Sequence, residues 1–221
     1  MKINKVGPKV NFKKAKLPTT KKLIGNYVIL ETINPKKHKK DLFESFSIDK
    51  KGALWTYMND GPFKRIEQLD YYLKNTDCHF YAIYSRKHKK YSGLASYLRI
   101  NPIAGSIEVG YITYSPILQR TVEATETMYL MMKNVFENLK YRRYEWKCNN
   151  LNKKSKKAAL RLGFKFEGIF RQSGIVKGRN RDTAWFSIID KEWKKLKKSY
   201  LKYLSKNNFD KNLKQKKKLK L

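Results

Sequence analysis

Between Ser106 and Phe136 the run SIEVGYITY stops at Ser115-Pro116. It leads through Leu118-Gln119-Arg120-Thr121-Val122-Glu123-Ala124-Thr125 into a helical pattern. A strand that feeds directly into a helix start gathers unpaired N–H groups and the positive end of the helix dipole, an arrangement suited to phosphate. The turn lacks both G-x-x-x-x-G-K-[ST] and G-x-G-x-x-G, so a P-loop or a dinucleotide fingerprint is unsupported. Glu123 and Glu126 open the helix and favour its dipole, which reads as a structural role. His38, His79 and His88 fall in a helix, at a strand start and in a basic loop, and form no constellation. Cys78 and Cys148 are too few and too scattered for a disulfide framework or a zinc site. They read as two reduced core thiols, and no metal is expected.

Positioning these residues requires a frame. Tyr27 to Ile33 (YVILETI) is a β-rich run, and Asn34-Pro35 then opens a helix through about Phe46. Trp55 to Met58 is a short aromatic stretch, Asp60-Gly61-Pro62 a turn, and Phe63 to Leu73 a second helix. Strands at Phe80–Ser85, Tyr91–Ile100 and Ser106–Tyr114 follow in hairpin rhythm. A long helix is predicted from about Leu118 to Leu139, with Met128, Met132, Val135, Phe136 and Leu139 as its core stripe. Then come a strand at Arg143–Cys148, a short helix at Asn152–Leu162 closed by Gly163, two strands at Lys165–Ile175 and Thr183–Ile189, and a lysine-rich helix from Lys191 to about Ser205. The order β, α, α, β, β, β, α, β, α, β, β does not alternate as a doubly wound fold would. It predicts an α/β domain with a mixed central sheet, mostly antiparallel at its start and flanked by helices.

The strand, the turn and the Ala124-Thr125-Glu126 helix resemble the Gcn5-related N-acetyltransferases, more narrowly an uncharacterised subgroup of the RimJ/RimL-like branch. That family's pyrophosphate loop, [QR]-x-x-G-x-[GA], falls on Gln119, Arg120, Thr121, Val122, Glu123 and Ala124. The ends match; Val122 replaces the middle glycine, which alters how closely backbone and ligand approach. Asn152-x-x-Ser155 with Arg161-Leu162-Gly163-Phe164 resembles the family's N-x-x-S…LGF helix, and Glu108-Val109-Gly110-Tyr111 its fourth strand. The segments Tyr144–Cys148, Gly178–Thr183 and Glu192-Trp193 resemble the subgroup. The resemblance spans about residues 26–193. It implies two central strands that splay to admit pantetheine and the acetyl group, with acetyl-CoA as co-substrate. It further implies that the amides of 120–124, with Arg120, meet the pyrophosphate. Asn152 meets the pantetheine arm, a role compatible with an N-cap. By the same resemblance Trp55, Tyr57 and Phe63 belong to the segment that lines the acceptor pocket in that family, although ordinary core aromatics would look the same.

Acetyl transfer to an amine requires that the ammonium lose a proton, that the carbonyl oxygen be polarised and that the leaving thiolate gain a proton. Glu108 alternates with Ile107 and Val109 on the central strand and is the candidate base, direct or through water. There a carboxylate is hard to solvate; the alternative is a carboxylate paired with a nearby Lys or Arg, or one on the exposed face of the strand. Many acetyltransferases carry a tyrosine on the short helix, but that position is Ala159 here. The resemblance therefore passes the acid's role to Ser155, whose alternative is to cap the first turn. The resulting reading is an N-acetyltransferase acting on a primary amine: a protein N-terminus, a ribosomal protein or a small molecule.

The chain has 221 residues, 41% of them hydrophobic, so a core is within reach, and no apolar run is long enough to span a bilayer. A cytoplasmic protein without a membrane partner is expected, either monomer or homodimer. Lys and Arg total 51 against 18 Asp and Glu, a formal charge of +33. Residues 1–25 carry +8 and residues 191–221 carry +11. We read 1–25 as a basic flexible arm, 26–193 as the acetyltransferase domain and 194–221 as a lysine-rich helix and tail. Such charge attracts polyanions, while codon usage in an A+T-rich genome explains an excess of Lys, Asn and Ile equally well. The alternative function is a nucleic-acid- or ribosome-binding protein on an inactive acetyltransferase scaffold. In it, Lys197 to Tyr203 (KKSYLKY) would contact phosphates and stack its tyrosines on bases.

Overall fold

The alternating run Ser106–Tyr114 forms β5, at the centre of the sheet in a computed structural model that describes residues 6–221. Ile107 and Val109 turn into the core, and Glu108 and Gly110 take the other face. The partners of β5 are β4 (Lys90–Asn101), antiparallel, and β6 (Arg143–Asn149), parallel. A parallel neighbour needs a crossover, and α3 (Val122–Lys133) supplies it. Before β5 come β1 (Lys22–Ile24), β2 (Val28–Thr32), α1 (Pro35–Phe46), α2 (Ile66–Lys74) and β3 (His79–Ser85). After β6 come α4 (Lys153–Arg161), β7 (Lys165–Val176), β8 (Arg179–Ile189) and α5 (Asp190–Leu204). The eight strands lie in the order β1-β2-β3-β4-β5-β6-β8-β7, antiparallel except for β5 and β6. One core, rich in residues of α3 and α5, covers one face of the sheet; a smaller core under α1 and α2 covers part of the other. No helix among the described residues is long and apolar enough to cross a membrane.

The structure departs from the sequence reading where local chemistry sets a boundary. The long helix begins at Val122, not Leu118, because Thr121 caps it with its hydroxyl on the Ala124 N–H. Its regular part ends at Lys133 and continues as one π turn, Asn134–Asn138. The second helix starts at Ile66, where Gln68 reaches back to the N–H groups of Lys64 and Arg65. The segment read as an arm enters the sheet: Lys22–Ile24 is β1, paired with β2. Ahead of it Ala15 and Pro18 are buried, and Ala15 and Lys16 donate their N–H groups to Pro102 O and Leu139 O at 3.0 and 2.9 Å. At the other end the chain turns back after α5. Leu213, Leu219 and Leu221 pack on the core, and Leu221 and Leu196 both lie against Gly163.

Candidate active site

The pairing of β5 with β6 runs from Ser106↔Arg143 to Val109↔Trp146 and then stops. Beyond it β5 continues to Tyr114 and β6 to Asn149 without pairing, so the two strands separate. The break coincides with an irregularity against β4, between the Ser96↔Gly110 and Leu94↔Thr113 pairs, where Tyr111 adopts a left-handed φ of 49°. The gap leads toward the turn before α3. Among the described residues, the backbone N–H groups of Arg120, Thr121, Val122 and Glu123 have no acceptor. Four free amides at a helix start, next to a gap in the sheet, fit a diphosphate-bearing pantetheine ligand. Arg120 carries the strained backbone of this turn, φ 60°, and its side chain is exposed. Gln119 turns back and donates to Tyr114 O at 2.9 Å.

The two glutamates of the helix start do not face outward as dipole partners. Glu123 is buried and accepts from Ser85 Oγ at 2.6 Å. Glu126 is buried as well and accepts three backbone N–H groups of the turn between β1 and β2: Asn26, Tyr27 and Val28, at 2.9, 2.6 and 2.9 Å. Burial pushes its carboxyl pKa up, against the pull of those donors.

Glu108 lies on the sheet face opposite α3, one residue before the pairing ends. The sequence reading placed here a carboxylate that is hard to solvate, with pairing to a Lys or Arg as one alternative. Arg99 Nη1 lies 2.9 and 2.8 Å from its two oxygens, and Lys147 Nζ lies 2.9 Å from Oε2. Lys147 also pairs with Glu145 at 2.9 Å, under the face of Trp185 at 3.6 Å. The paired alternative is therefore the arrangement present. Oε1 carries only the Arg99 contact, and on the same face the Leu98 side chain fills the space over Gly110 beside it.

Ser155 sits in the first turn of α4 on the far wall of the gap. Its amide donates to Asn152 Oδ1 at 3.0 Å, so Asn152 is the cap and the Ser155 hydroxyl is not. The hydroxyl accepts from Trp146 Nε1 at 3.0 Å, which leaves its own proton free to donate. Cys148 lies beside it; burial pushes this thiol up while its contact with Ser155 works the other way. Ala159, at the position where many acetyltransferases carry a tyrosine, is fully buried.

The segment of Trp55, Tyr57 and Phe63 is tied to the rest of the fold by contacts of which sequence reasoning missed one, Lys177. Tyr57 donates to Leu151 O at 3.3 Å and ties the segment after α1 to the start of α4. Lys177, at the tip of the β7–β8 hairpin, donates to Trp55 O and Gly61 O at 3.0 and 2.8 Å. Trp55 is buried between Phe46 and Phe63 as a core aromatic. Among the described residues no group of three His, Cys, Asp or Glu could hold a metal ion, and both cysteines are free.

Residues 28–165 match the model of the acetyltransferase (GNAT) domain. The chain belongs to the GNAT acetyltransferases. A GCN5-related N-acetyltransferase from Brucella melitensis is 41% identical, covers 95% of this chain and 96% of its own, and superposes with a TM-score of 0.91. A probable GNAT-family acetyltransferase from Chromobacterium violaceum ATCC 12472 is 35% identical over 87% of this chain and 98% of its own, at a TM-score of 0.79. RimL, a ribosomal L7/L12 alpha-N-protein acetyltransferase in complex with coenzyme A, shares the fold at 19% identity, 76% coverage of this chain and 98% of its own, and a TM-score of 0.66. A search among curated proteins gave no match. GNAT enzymes use acetyl-CoA as co-substrate and act on amine acceptors.

Proposed function

We propose that this GNAT enzyme transfers the acetyl group of acetyl-CoA to a primary amine, with a protein N-terminus as the acceptor class. The observation that carries the reading is the pairing of the β5–β6 gap with the four free amides of residues 120–123. Those amides hold the diphosphate, Asn152 faces the pantetheine arm, and the two strands align the thioester. Ser155, oriented by Trp146, supplies a proton to the leaving thiolate. Glu108 receives the amine's proton through a water at Oε1, the oxygen that only Arg99 contacts. Arg99 and Lys147 fix its position. A protein acceptor is supported by the N-protein acetyltransferase activity that RimL's name gives it.

Acetyl-CoA should raise the melting temperature, and thiol release should follow addition of peptides with free N-termini. At millimolar ligand a binder of tens of micromolar stabilises the fold by more than about 1 kcal/mol, on the order of RT ln(1 + [L]/Kd). No shift at millimolar acetyl-CoA counts against the reading. Glu108→Gln should lower kcat by about 10²–10⁴-fold, with the loss shrinking at high pH as the free amine becomes neutral. Ser155→Ala should slow turnover equally at all pH values while the Asn152 cap stays in place. Full activity in Glu108→Gln removes that residue from proton transfer.

A further inference from the structure

The basic residues are not spread evenly over the fold. Residues 150–165 and 191–221, which comprise α4, α5 and the returning tail, hold nineteen Lys and Arg against two Asp and Glu, a net charge of +17. The other 174 residues share +16. Codon usage raises lysine wherever a position tolerates it and does not concentrate half of the excess in about a fifth of the chain.

The three segments share one side of the molecule. Tyr200 of α5 donates to Leu162 O, at the end of α4, at 2.9 Å. The tail then runs back beside α5: Tyr203 donates to Gln215, Lys216 N–H to Asn208 O, and Leu221 reaches Gly163 next to Leu196. On α5 the residues Trp193, Leu196, Tyr200 and Tyr203 face the core. The opposite stripe is Lys191, Lys195, Lys198 and Lys202, all exposed and about 16 Å from end to end at helical rise. Lys216, Lys217, Lys218 and Lys220 form a second exposed row on the tail. Within these segments Lys197 pairs with Glu137 and Lys165 with Glu192, whereas both exposed rows lack an acidic partner among the described residues.

We propose that this side of the enzyme docks on the phosphate backbone of duplex RNA. The lysines are point charges, and the tyrosines that could have stacked on bases are in the core, so the contact reads phosphates and not bases. α5 is packed flush on its apolar stripe and cannot project into a DNA major groove. Two rows of lysine with no side chain aimed at base edges call for two phosphate strands, which the deep, narrow major groove of an A-form duplex brings together. A lipid surface would want an apolar wedge, but Leu151, Leu160 and Leu201 are the exposed large hydrophobics of α4, α5 and the link into α4, and they stand singly.

The test compares two five-lysine variants by fluorescence anisotropy on an RNA duplex of about two helical turns. One carries Lys195, Lys198, Lys202, Lys217 and Lys218→Gln; the other carries Lys36, Lys40, Lys50, Lys51 and Lys64→Gln, from α1, α2's approach and the segment between them. All ten side chains are exposed, so both variants should melt with the wild type. A Lys216, Lys217, Lys218→Gln variant serves if the first does not. We expect the first set to lose at least tenfold in affinity at about 150 mM salt. Its plot of log K against log salt should be shallower by up to about 4, near 0.9 per phosphate contact. The second set should lose less than threefold, and saturating acetyl-CoA should leave the RNA bound. Equal losses from both sets, no binding at that salt, displacement by acetyl-CoA, or tighter binding to phosphatidylserine vesicles or duplex DNA would each overturn the proposal. Acetyl transfer to a peptide is measured separately, so failure of one reading leaves the other standing.

Discussion

Val122 stands where the GNAT pyrophosphate loop carries glycine, and the backbone shows how the chain tolerates it. Val122 is the first residue of α3, with its side chain in the core. The left-handed conformation falls two residues earlier, on Arg120. Val122→Gly should therefore cost about 1.5–3 kcal/mol through lost burial and helix propensity, without tightening acetyl-CoA binding. Arg120→Gly should hold or raise stability by up to about 1 kcal/mol as strain is relieved, and should weaken binding through the lost charge. Melts and acetyl-CoA titrations of both variants check this pair. At this scale the sequence carried the local motifs: the free amides of the loop and the Asn152–Ser155 cap depend on neighbours in the chain. It did not carry Arg99 and Lys147 beside Glu108, or Trp146 beside Ser155. Those contacts depend on strand register and bulges, which composition and spacing do not specify.

The element scale is set by polar nodes as much as by apolar stripes. Glu31 of β2 is nearly buried and meets Lys22 at 2.8 Å, Tyr91 Oη at 2.7 Å, Lys37, and His38 Nε2 at 3.4 Å. It joins β1, α1 and β4. Burial alone would raise its pKa, but the hydrogen bonds from Lys22, Lys37, Tyr91 and His38 hold it far below the usual carboxylate range. A carboxyl lowered in the folded state stabilises the fold above its ordinary pKa, and that contribution is lost as pH falls toward the folded value. The melting-temperature gap between wild type and Glu31→Gln should thus be widest near neutrality and narrow progressively below about pH 4.5. A gap that does not change with pH would refute this account. Elements with clear periodicity were legible in the chain. β1 was not, because three residues inside a lysine-rich run carry no period, and the π turn after α3 leaves the apolar stripe unbroken.

Across the whole molecule, parts of both end segments pack on the body, from Phe12 on at one end and after α5 at the other. Gly25, before the turn held by Glu126, has no room for a side chain: a Cβ there would overlap the carboxylate. Gly25→Ala should cost about 1–3 kcal/mol. The double variant with Glu126→Ala should cost less than the sum of the two single changes, because they remove one contact. A melt of the four proteins decides this. The order of strands and helices was readable from the chain, but the docking of residues 12–18 and of the C-terminal tail was not, since it rests on scattered single residues such as Ala15, Pro18 and Leu221. The Glu126 contact also orders events in time. The three amides that it accepts lie 98 to 100 residues earlier in the chain. At roughly 5–20 residues per second of synthesis, the turn waits about 5–20 s for its carboxylate. The first hairpin to be made is thus held only after half of the chain exists, and a nascent chain halted before residue 126 carries that hairpin without its anchor.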